Sequence, residues 1–144
     1  MFTNVFTTVL AVTATLMGAV TASPIDTTAA AAGKPFTVDT RAVSGRFTYY
    51  EPGLGACGQT HSASDYVVAL NYVDFDPHTP NGNPNNNDLC GRRIRASYNG
   101  KSVDVTIVDR CPGCPQGGLD FSPAAFQVLA NLDVGVIQGT WDYI

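Results

Sequence analysis

The chain is poor in charge, and its first 22 residues carry none: only eight of 144 residues are Lys or Arg and twelve are Asp or Glu. A net charge of −4 supplies no positive field to gather phosphate backbones, so nucleic acid is not an expected partner. Arg92, Arg93 and Arg95 do stand together, but strand alternation divides them between faces, and they read as a solvated edge. No run has the length of a membrane span. Residues 9–20 form an apolar, Thr/Ala-rich stretch of signal-peptide length, and Val20-Thr21-Ala22 offers the small residues a signal peptidase reads. Residues 1–22 are therefore expected to be a signal peptide, with no Lys or Arg before the apolar run. The protein is expected to be secreted and, after cleavage, free of membrane.

Chemical motifs are as sparse. No serine sits in a Gly-x-Ser-x-Gly elbow, and the two histidines, His61 and His78, fall in loops, which argues against a Ser/His/Asp nucleophile. Gly53-x-Gly55 follows a strand pattern without opening a helix, so no phosphate cradle forms and no nucleotide or flavin cofactor is expected. One Cys-x-x-Cys lacks the second close pair of a structural zinc site, so no metal is expected. There is no Asn-x-Ser/Thr sequon.

Four cysteines in a secreted domain of this length read as two disulfides. Three pairings are possible, and Cys57–Cys90 with Cys111–Cys114 is favoured. The first would close a loop of more than thirty residues. Cys111-Pro112-Gly113-Cys114 has the spacing of a redox dithiol, but Pro115-Gln116-Gly117-Gly118 follows it where a reactive thiolate needs a helix N-terminus. Pro-Gly suits a tight structural corner instead.

Along the chain, residues 23–42 are Ala/Thr-rich without a periodic apolar face and read as a disordered linker or pro-segment, leaving 43–144 as the domain. Residues 45–50 form a strand with Thr48 and Tyr50 on one face and Phe47 and Tyr49 on the other. Residues 66–70 form a second, and residues 74–88 a long exposed Pro/Asn loop. Asn99-Gly100 predicts a hairpin between residues 92–98 and 101–108. Ser122-Pro123 starts a helix to about Asn131 that buries Phe126, Leu129 and Ala130, and residues 136–144 close the chain as a strand. The pattern is mostly β with one helix.

Residues 103–120 concentrate the candidate chemistry, a buried strand running into Asp109, the cysteine corner and Asp120. Inverting glycosidases set two carboxyl groups roughly 6.5–9.5 Å apart, one protonated and one ionised, and these two acids are candidates. The structural alternative has Asp120 capping the helix region or paired with Arg110. Tyr49, Tyr50, Tyr72, Phe75, Tyr98, Trp141 and Tyr143 are candidates for stacking on sugar rings, most of them serving as core.

Taken together, G-R-F-T-Y-Y-E-P-G-L-G-A-C-G at 45–58, D-Y-V-V-A-L at 65–70, Cys90-Gly91, residues 100–114, L-D-F-S-P-A-A-F at 119–126 and Trp141 resemble the small secreted, expansin-related RlpA-like double-psi β-barrel proteins of fungi, loosenin-like members among them. The resemblance implies a six-stranded double-psi β-barrel with one or two short helices and an open groove for polysaccharide. Related hydrolases place an aspartate base on the first strand in Thr-x-Tyr-x-Asp. Here Thr48 and Tyr50 begin that pattern, but Pro52 stands at the base position. Glu51 is one residue off, which in a continuing strand points it to the other face. The retained acid of those enzymes corresponds to Asp120.

By resemblance, then, Thr48, Tyr50, Asp109 and Asp120 line a groove that binds cellulose, chitin or a related cell-wall glucan and loosens it without hydrolysis. The two acids are expected to share one wall. The protein is expected to be monomeric. Expansins also carry a β-sandwich domain after the barrel, so affinity here is expected to come from the barrel alone. The alternative is a protein-binding module such as an inhibitor of papain-like cysteine proteases, with contacts through the Asn/Pro loop and the Pro-Gly corner.

Overall fold

The structure, a computed structural model, describes residues 41–144; the expected signal peptide and nearly all of the expected linker lie outside the described residues. Six strands, β1 (Val43–Tyr49), β2 (Val67–Asn71), β3 (Arg93–Tyr98), β4 (Lys101–Cys111), β5 (Leu119–Phe121) and β6 (Ile137–Tyr143), are joined with two short helices, α1 (Tyr72–Phe75) and α2 (Pro123–Leu129). The sheet closes in the order β1-β5-β2-β4-β3-β6, with β1·β5 and β2·β4 parallel and the other pairs antiparallel. This is the mixed six-stranded barrel that the resemblance implies. Closure leaves no edge strand.

Alternation decides which side chains fill the barrel. Phe47, Val68, Leu70, Ile94, Ala96, Val105, Ile107, Leu119, Phe121 and Trp141 are buried in one core, and the rings of Phe47 and Phe121 meet edge to face at 5.2 Å. Trp141 and Phe75 belong to this core and offer no face to a sugar. Trp141 Nε1 donates to Gly117 O at 2.9 Å, which satisfies its one polar atom. The β3–β4 hairpin turns at Asn99 (φ 46°) and Gly100 (φ 75°), the left-handed pair that a two-residue loop needs.

Four local expectations are corrected. The arginine cluster is not at an edge: β3 pairs with β4 and β6, and Arg95 makes a bidentate pair with Asp104 on β4 at 2.6 and 2.8 Å. Residues 74–88 are not irregular. A helical turn capped by the buried Asn71 opens the segment, three 3₁₀ turns follow, and buried Asn87 ties it by bonds to Phe75 O, Thr79 Oγ1 and Leu89 N. Helix α2 buries Ala125 with Phe126 and Leu129, while Ala130 is its half-buried C-cap. Finally, Arg110 pairs with Asp76 at 2.6 and 2.7 Å, not with Asp120.

The disulfides are Cys57–Cys90 and Cys111–Cys114. Among the described residues no helix is long and apolar enough to cross a membrane.

Candidate functional site

The site is one register row on the outside of the barrel. Thr48 on β1 stands opposite Asp120 on β5, Asp120 opposite Ala69 on β2, and Ala69 opposite Asp109 on β4. Residues paired in register share a face, so four adjacent strands present Thr48, Asp120, Ala69 and Asp109 in line. Both acids are carried on this same face. They flank Ala69, two strand spacings or about 10 Å apart at Cα.

A β-bulge makes this alignment. Val68 opposes Ile107, but Ala69 opposes Asp109, so Val108 is an extra residue in β4. Without it Asp109 would carry the parity of Val103, Val105 and Ile107 and point into the core. The loop after β1 is docked at the bulge. Cys57 N donates to Val108 O at 3.2 Å and Gly91 N to Ile107 O at 2.8 Å. A Cβ on Gly55 would lie 2.4 Å from Val108 O, so only glycine lets the two backbones approach.

The acids differ in their surroundings. Asp109 Oδ1 accepts from Ala56 N at 2.7 Å and Arg110 N at 2.8 Å, and its Oδ2 accepts from the Tyr50 hydroxyl at 3.2 Å. Both oxygens are engaged. Asp120 Oδ1 accepts from Thr48 Oγ1 at 2.7 Å. Burial holds the Asp120 carboxyl above the usual carboxylate range and the charge on Asp109 acts the same way, while Thr48 and Arg46 pull it back down. Burial, then Asp109, pushes the Tyr50 phenol far above its ordinary value, so it remains a neutral donor.

Tyr50 also packs against Ala69, Cys111 and Cys114, which gives the row an apolar floor. Sulfurs of Cys111 and Cys114 and an Asp120 oxygen lie within 4.8 Å of one another, but the sulfurs are joined to each other and present no thiolate to a metal. The four residues predicted from sequence thus come together as two hydrogen-bonded pairs, Thr48–Asp120 and Tyr50–Asp109. Sequence reasoning missed Ala69, the Ala56 amide and Arg46. Only Arg46 was within reach, since it stands two residues before Thr48 on the same face. A separate depression of about 470 Å³, lined by Ser44, Ser97, Asn99, Gln138 and Thr140 among others, contains none of these residues.

Strand order, closure and this outward polar row define a double-psi β-barrel protein. The chain belongs to the double-psi β-barrel family whose model, described as lytic transglycolase, matches residues 42–141. It is 42% identical over 106 residues to a papain inhibitor of Streptomyces mobaraensis, covering 71% of each chain. Among solved structures, a Streptomyces papain inhibitor superposes with a TM-score of 0.67 at 39% identity, covering 75% of this chain and 97% of that one. A Clavibacter michiganensis expansin in complex with cellohexaose superposes at 0.59 and 24% identity over 72% of this chain and half of that one, a likeness of fold alone.

Proposed function

We propose that the chain is a secreted binding protein whose outward row takes a cell-wall glucan or chitin and loosens it without cleaving it. The observation that carries this reading is the asymmetry of the two acids. Both oxygens of Asp109 are occupied by protein donors, whereas Asp120 keeps one oxygen free of protein donors beside an apolar floor. A lone acid can hydrogen-bond or protonate a sugar oxygen, but an inverting hydrolysis also needs a base. Glu51 is the carboxylate to test. Strand β1 ends at Tyr49, so strand parity no longer turns Glu51 away, and Glu51 is exposed. That an expansin of the same fold holds cellohexaose is support by fold analogy.

A second reading, inhibition of a papain-like cysteine protease, is favoured by the 42% identity to a papain inhibitor. One set of proteins tests both. Wild type, Asp120→Asn and Glu51→Gln are incubated with insoluble cellulose, β-glucan and chitin, with bound protein and new reducing ends measured in the same tubes, and each is titrated against papain. Binding lost in Asp120→Asn without reducing ends supports the first reading. Reducing ends that vanish in Glu51→Gln would make the protein a hydrolase. Tight papain inhibition with no retention on any glycan would leave the second reading alone.

A further inference from the structure

Leu54 is the most exposed large apolar side chain among the described residues, at 76%, and it stands on a segment that is anything but loose. An isolated bridge joins Leu54 to Thr60. Gly55 N donates to Gln59 O at 2.9 Å, Gly58 N to Gly55 O at 2.9 Å and His61 N to Gly53 O at 3.0 Å. The base is clamped from below by Ala56 N on Asp109, by Cys57 N on Val108 O and by the Cys57–Cys90 disulfide. A scattered exposed leucine is ordinary. One held out by a cross-linked turn braced by these hydrogen bonds, with exposed Gly53 before it, starts from an ordered backbone, which lowers the ordering cost of binding and is the condition for a preorganised anchor.

Resting on the protease reading above, we infer that the turn from Gly53 to Gly58 is the protease-contacting element and that Leu54 is its anchor, entering an apolar subsite in the substrate cleft of a papain-like cysteine protease. Gly53, exposed and with nothing within 4 Å of where a Cβ would stand, gives the wall of a cleft room to close on the side chain, and ligand clefts are lined mostly by apolar groups with a few placed polar ones. The turn borders the Asp109 end of the row, so a protease seated on Leu54 also covers Tyr50 and Asp109. This differs from contact through the Asn/Pro loop or the cysteine corner.

The test is titration of papain with wild type, Leu54→Asp and Leu54→Met, with thermal melting of each. Leu54 is exposed, so all three are expected to melt alike. Loss of a buried leucine anchor is expected to weaken inhibition by Leu54→Asp about tenfold or more, with Leu54→Met close to wild type. If wild type inhibits and Leu54→Asp inhibits equally well, the anchor is overturned while the protease reading stands. If wild type does not inhibit, the protease reading fails and the anchor fails with it.

Discussion

Thr48 Oγ1 donates to Asp120 Oδ1 at 2.7 Å between residues 72 positions apart, and the parallel pairing of β1 with β5 brings them face to face. Parallel neighbours cannot be joined by a tight turn, so this contact exists only once the barrel has closed. Replacing Thr48 with Val keeps the shape and removes the donor. The expected loss is about 1–2 kcal/mol, given the charged acceptor and its partial exposure. Urea unfolding measures it, and Thr48→Ser should recover most of the loss. The Asp120 carboxyl should also become harder to ionise, because the Thr48 bond is one of the two influences lowering it.

Asp120→Asn has a pH signature. Burial raises this acid in the folded state above its ordinary 3.8, so the native protein holds the proton more tightly than the unfolded chain, and ionisation opposes folding. The opposition is absent below about pH 3.8, grows as pH rises toward the folded value, and is complete above it. Asn keeps an oxygen for Thr48 without the charge. The variant should therefore melt higher than wild type at neutral pH and alike at about pH 3. A gap that widens on acidification would contradict this.

Gly55 and Gly53 form a matched pair. A methyl group on Gly55 meets Val108 O at 2.4 Å and Asp109 Cβ at 3.3 Å, whereas on Gly53 it meets nothing within 4 Å. Gly55→Ala should cost about 1–3 kcal/mol by forcing the loop off the bulge. Gly53→Ala should stay within about 0.5 kcal/mol of wild type. Urea midpoints compare them, and Gly55→Ala should also free the Tyr50–Asp109 pair, visible as a lowered Tyr50 titration.

The disulfides should contribute unequally. Cys57–Cys90 closes a loop with a sequence separation of 33, and Cys111–Cys114 one of 3. In the chain-entropy model these give roughly 3.7 and 1.6 kcal/mol. Double Cys→Ser variants, unfolded in urea, should show the first to be the more damaging to stability. The second should bear mainly on the site, because Tyr50 packs on it.

The strands, the hairpin turn and the Cys111–Cys114 corner were legible because each rests on local signals: alternation, Asn-Gly, and close cysteine spacing; Cys57–Cys90, with a separation of 33, was favoured among three pairings and is decided by the fold that brings the two cysteines together. The segment 74–88 was misjudged since its Pro and Asn density marks turns without telling that buried Asn71 and Asn87 knit those turns together. The arginine cluster was misplaced at an edge because pairing on both sides of β3 is a property of closure.

The two acids mark the same division. Sequence alone determined that Thr48 and Tyr50 lie on one face of a short strand and that a cysteine corner separates Asp109 from Asp120, since alternation and turn chemistry act over a few residues. It did not determine that Val108 bulges, that Asp109 thereby faces outward, or that Ala69 lies between the acids. Those follow from the register of β2 against two non-neighbouring strands, and register is decided by packing of the whole barrel. Which acid keeps an oxygen free of protein donors was thus decided by tertiary structure, through the amides and hydroxyl that close around Asp109 and leave Asp120 with a single partner.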